Sequence, residues 1–134
     1  MKSLSNWVPL VARILIGGMF IMAGFTKITS FAGTVDFAAS AGLPLPALAI
    51  VIAIAIEILG GLSILLGYKI FYGAASVALF TLVASFIFHG NFADPMQQLL
   101  FTKNMGIVAA LLYMLHFGAG EYSVEKKEES QGTL

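Results

Sequence analysis

IVIAIAIEILGGLSILLG, residues 50–67, carries one charge, Glu57, in eighteen residues. A helix crosses the hydrocarbon core of a bilayer with about 20 apolar residues. So uniform a run lacks the polar–apolar alternation of a barrel strand. It reads as the body of a spanning helix over about 46–67, and it makes the chain an integral membrane protein.

Composition leads to the same class. The chain has 134 residues, 59% hydrophobic and 10% charged, with a mean hydropathy of +0.94. Soluble domains carry about 25% charged residues. Seven Lys and Arg balance seven Asp and Glu, and no basic block exists that would hold nucleic acid. Cysteine is absent, which excludes disulfides, thiolate metal sites and thiol redox chemistry. A redox role would therefore need a cofactor or substrate brought to the chain.

Outward from residues 50–67, three more spans complete an all-α four-helix membrane bundle, one domain over 1–120. They cover about 7–26, with only Arg13 charged, 70–89 and 98–120. The apolar run of the first is longer than the core of a signal peptide. Asp94-Pro95-Met96-Gln97 has the form of an N-cap, a proline at the first helical position and a capping-box Gln. Between the first two spans, Ser30 can cap a short interfacial helix with Phe31, Val35 and Ala38 on one side. Gly42-Leu43-Pro44 ends it, and Gly67-Tyr68-Lys69 forms a tight hairpin. The tail 121–134, EYSVEKKEESQGTL, is polar and mixed in charge and is expected to be disordered. Four spans put both termini on one side with Lys2, Lys69, Lys126 and Lys127, against Lys27 and Lys103 opposite. The positive-inside rule places that side in the cytoplasm, so the expected location is a bacterial inner membrane.

Charges within spans are costly and normally face protein. At about 100° per residue, Arg13, Gly17, Phe20, Gly24 and Lys27 share one face of the first helix. Ala49, Ala53, Glu57 and Gly61 form an i, i+4 row on the second. Glycines allow close helix approach, so Gly17, Gly24, Gly60 and Gly61 are the expected packing positions. Arg13 and Glu57 differ by about 6 Å in depth at 1.5 Å per residue, an offset a long Arg side chain can close between neighbouring helices, so the two are expected to pair. That contact serves either as a polar clip fixing register or as part of a site.

A second polar group gathers at the opposite end: Lys27, His89, Lys103 and Asn104. Thr81, Ser85 and His89 form an i, i+4 row leading inward. Each residue alone reads as an ordinary helix end; together they can form the mouth of a ligand pocket. Histidine exchanges protons near neutral pH. No metal site is expected, since His89 and His116 lie at opposite ends of their helices.

ARILIGGMFIMAGFTKI (residues 12–28), with Arg13, Gly17, Phe20, Gly24 and Lys27, resembles the opening of the DoxX family. IEILGGLSILLGY (56–68), with Glu57 and a Gly pair, and the run from FIFHGNF (86–92) to FTKNMGIVAALL (101–112) resemble its later helices. The match extends over about residues 7–118. It implies a four-helix membrane bundle and, in some relatives, membership of quinone-linked oxidoreductases such as thiosulfate:quinone oxidoreductase, or association with redox-defence enzymes. A quinone is thus the ligand the resemblance implies, with no covalently held cofactor and no self-contained catalytic motif. In that reading His89 and Lys103 donate to a bound carbonyl and Asn104 orients it. Redox-enzyme subunits are the partners the resemblance implies; the apolar composition makes the lipid bilayer another, and further copies of the chain are a third expected partner. A non-enzymatic scaffold or accessory subunit is the alternative, and a small-molecule transporter a third.

Overall fold

The computed structural model describes residues 2–125. It contains five helices: α1 (Lys2–Thr29), α2 (Phe31–Ser40), α3 (Pro46–Leu66), α4 (Ile70–Phe88) and α5 (Pro95–Phe117). There is no strand among the described residues. All but α2 are long and apolar enough to cross a membrane. α2, with ten residues, is half the length a span requires.

What is buried and what is exposed is inverted relative to a water-soluble bundle. Leu15, Met22, Leu59, Leu79, Phe86 and Leu112 lie exposed on the outer faces, while Arg13, Glu57, Thr81 and Ser85 are buried. In lipid an exposed leucine costs nothing, whereas a polar group must find its partner inside.

Helices meet in chain order, α1 on α3, α3 on α4 and α4 on α5. Glycine sets the separations. A methyl group on Gly17 would come within 2.8 Å of the Gly61 carbonyl oxygen and of the Leu65 nitrogen, and one on Gly61 within 2.9 Å of the Gly17 oxygen. Farther along, Gly24 lies against Glu57 and Ile58. On the other side of α3, Gly60 abuts Val77, and Gly73 of α4 abuts Ser63. Phe20, Ile64, Val77, Leu111 and Met114 belong to one buried apolar cluster between the helices.

The hairpin between α3 and α4 uses left-handed backbone at Gly67 (φ 65°) and Lys69 (φ 48°). α5 starts as its sequence indicates: Pro95 is in the first turn and the Asp94 carboxylate accepts from Met96 N–H at 3.0 Å. Gln97 does not complete a capping box. Its side-chain oxygen lies 2.9 Å from His89 Nδ1 instead, and the Asp94 N–H donates to the Asn91 carbonyl. Ser30 occupies the N-cap of α2 without a side-chain cap bond. Ala38 is the buried residue of that helix, and Phe37 stacks on Phe88 at 5.4 Å.

The expectation of disorder from residue 121 does not hold for residues 121–125. The Val124 and Glu125 N–H groups donate to the carbonyls of Leu66 and Gly67, each at 3.0 Å. The Trp7 and Tyr122 rings are 4.9 Å apart. The carbonyls at the end of α3 have no helical donors, and the chain after α5 supplies them. Residues 126–134, including Lys126 and Lys127, lie outside the described residues.

Candidate functional site

Glu57 is 4% exposed, and its partner is Lys27: Nζ lies 2.9 Å from Oε1. The expected Arg13–Glu57 contact is not formed. Arg13, 1% exposed, donates from Nη1 to the Leu65 carbonyl at 3.0 Å and to that of Ile64 at 3.5 Å, and from Nη2 to the Tyr122 carbonyl. Two physical causes separate the pair. The glycine contacts set α1 and α3 in a register that places Gly24, not Arg13, beside Glu57. Helical side chains also lean toward the N-terminus of their own helix. Arg13 therefore reaches toward the end of the bundle bearing the termini, and Lys27 reaches from the opposite end inward to the acid.

Arg13 thus completes the closure of α3. Ser63 oxygen accepts from Tyr68 N–H and Ile64 oxygen from Gly67 N–H. Leu65 oxygen accepts from Arg13, and Leu66 and Gly67 oxygens from the segment after α5. A guanidinium at a helix C-terminus also opposes the negative end of the helix dipole. The geometry of Arg13 is structural.

At the opposite end the helices line a half-open cavity of about 560 Å³, within the range of small-molecule sites. Lys27, His89, Lys103 and Asn104 all line it, so four residues from three regions of the sequence border one cavity. Glu57 and Thr81 line it as well, together with an apolar body that includes Phe20, Ile50, Ala53, Val83, Ile87 and Ile107. α2 contributes Phe37, whose ring stacks on Phe88, another lining residue.

Two separate hydrogen-bonded groups tie α4 to α5. His89 is held at the loop by Gln97. Asn104 Nδ2 donates to Ser85 Oγ at 3.0 Å, and the Ser85 hydroxyl donates to the Thr81 carbonyl at 2.6 Å. Asn104 is therefore fixed by a buried serine. Lys103 is exposed on the same helix. Such a lining can donate hydrogen bonds from an ammonium, an imidazole and an amide while its apolar part accommodates a ring or chain.

Reasoning from sequence missed Gln97 as the residue that holds His89, and Lys27 as the partner of Glu57. The lean of long side chains toward helix N-termini was the available signal for the second. The first had none, because Gln97 equally fits a capping box.

Residues 8–90 match the family model DoxX, which takes in Arg13, Lys27, Glu57, Thr81 and His89 and stops short of Lys103 and Asn104. The chain is 40% identical to Inner membrane protein YqjF of Escherichia coli (strain K12), over 94% of this chain and 95% of that relative. It is 34% identical to Inner membrane protein YphA of the same organism, over 88% of each. No solved structure matches. With more than half its length under the family model and two relatives aligned over most of theirs, the chain belongs to the DoxX family.

Proposed function

We propose that the chain is a membrane-embedded subunit that binds a quinone-class molecule and works beside a redox enzyme. One observation carries this reading: a single, largely apolar cavity gathers Lys27, Glu57, His89, Lys103 and Asn104. The apolar walls suit a lipid-soluble ring, and the polar residues suit its oxygens. Quinone reduction consumes protons, so an imidazole at the mouth of the cavity has a chemical use.

The test is binding of a short-chain quinone, in both redox forms, to the purified chain in nanodiscs. His89→Ala and Lys103→Ala each remove one donor, and each is expected to weaken binding about fivefold to tenfold. Unchanged affinity in both variants would remove these residues from the site.

A second reading, a non-enzymatic accessory subunit, is favoured by Arg13, whose partners are all backbone carbonyls. It expects no quinone binding in either redox form. In both readings the excess of lysine beside the termini orients the chain with its termini in the cytoplasm of a bacterial cell.

A further inference from the structure

We propose that the inner end of the cavity selects a head group bearing a hydrogen-bond donor, a hydroxyl or phenol, over one bearing a carbonyl. This rests on the quinone-class reading above and specifies which redox form is held. Among the residues of α3 and α4 that line the cavity, Glu57 and Thr81 lie at its inner limit, apart from the apolar Phe80. Glu57 is three turns in from Pro46, about 16 Å along the helix. Both side chains are more than nine-tenths buried. Each keeps one oxygen, Glu57 Oε2 and Thr81 Oγ1, without a hydrogen-bond partner among the described residues.

The chemistry of those two atoms is specific. Glu57 Oε1 is held by Lys27; beside that ammonium the carboxylate is an acceptor, and Oε2 calls for a donor. The Thr81 hydroxyl can both donate and accept. A carbonyl can take a bond from Thr81, but it presents only lone pairs to Oε2 and leaves a buried charged oxygen unsatisfied. A hydroxyl head can donate to Oε2 and still accept from a neighbouring donor. Oε2 has no partner among the described residues before a ligand arrives, so a hydroxyl gains a charge-assisted bond there, worth more than a neutral one. A carbonyl gains nothing and sets its lone pairs against the carboxylate. The same logic lets sites that hydrogen-bond a hydroxyl reject analogues without one.

Durohydroquinone, duroquinone and the dimethyl ether of durohydroquinone separate the possibilities, because the ether lacks the O–H donors. Each is titrated anaerobically into the full chain in nanodiscs. The hydroquinone is expected to bind at least about tenfold more tightly than either other compound. In Glu57→Gln, whose amide can itself donate, the ratio is expected to fall to about threefold or less. Equal binding of hydroquinone and quinone overturns the inference and leaves the quinone-class reading standing; water held at Oε2 would give that result. Binding of none of the three overturns both. A tenfold ratio that persists in Glu57→Gln places the selecting acceptor elsewhere and also overturns the inference. Should Glu57→Gln fail to reach the membrane, the double variant Lys27→Met with Glu57→Gln, which strands no buried charge, takes its place with the same expected fall in the ratio and the same overturning result.

Discussion

Lys27 and Glu57 form a buried pair whose two ends differ in solvation, the lysine side chain being 26% exposed and the glutamate 5%. Removing the ammonium strands a carboxylate inside the bundle. Breaking a buried pair from one side typically costs about 3–5 kcal/mol, and the partial exposure of Lys27 favours the lower figure. Lys27→Met is therefore expected to destabilise the folded chain by about 3 kcal/mol, and adding Glu57→Gln to recover much of it. Arg13 bonds to carbonyls of α3 and the tail, so Arg13→Gln should be destabilising regardless of residue 57. Double-mutant cycles by reversible denaturation in mixed micelles measure both couplings. They should give a large coupling for 27 with 57 and one within about 0.5 kcal/mol of zero for 13 with 57. A large Arg13–Glu57 coupling would contradict the observed pairing.

At the scale of elements, α1 and α3 are held at glycine distance, and this contact sets which residues face one another across the pair. A methyl group at Gly17 meets backbone atoms of Gly61 and Leu65, which cannot swing aside as a side chain could. Gly17→Ala must push the helices apart, at a cost of about 1–3 kcal/mol typical of overpacking. The adjacent Gly18 has nothing within 4 Å of an added methyl, so Gly18→Ala is expected to be neutral or to stabilise by up to about 1 kcal/mol. Thermal unfolding of the two variants in one detergent makes the comparison. Equal loss in both would mean that the glycine contact does not govern the pair. Because Lys27 must reach Glu57 across this interface, Gly17→Ala should also loosen the wall of the cavity.

For the whole molecule, the two ends of the bundle have different characters. The end bearing the termini is closed: Arg13 and the segment after α5 satisfy the carbonyls of α3, and Glu125 Oε2 accepts from Ile70 N–H at the start of α4. The opposite end holds the cavity. Absence of native cysteine makes orientation directly measurable. Tyr68→Cys lies in the turn beside the termini and Ala93→Cys in the loop at the cavity end, both exposed. A membrane-impermeant maleimide added to intact spheroplasts should label Ala93→Cys and reach Tyr68→Cys only after permeabilisation. The reverse pattern would place the termini outside the cytoplasm.

Four spans, the short helix near 31–40, the hairpin at Gly67 and the start of α5 at Pro95 were legible along the chain. Their causes are local: apolar length against bilayer thickness, glycine in a left-handed turn, and a carboxylate beside free helix N–H groups. Candidate polar residues were legible for a similar reason, since charge stands out in an apolar run. Which of them meet was not. Residues 27 and 57 are paired by a register that Gly17, Gly24 and Gly61 impose together and by the N-terminal lean of both cations on α1. The order of residues 121–125 likewise depends on unsatisfied carbonyls of a helix more than fifty residues earlier. By itself, then, the sequence determined the membrane class and the elements, because these depend on neighbours along the chain. The tertiary structure alone decided the partner of Glu57, the structural role of Arg13 and the meeting of Lys27, His89, Lys103 and Asn104 around one cavity. Those outcomes depend on how far one helix slides along another, which no single segment encodes.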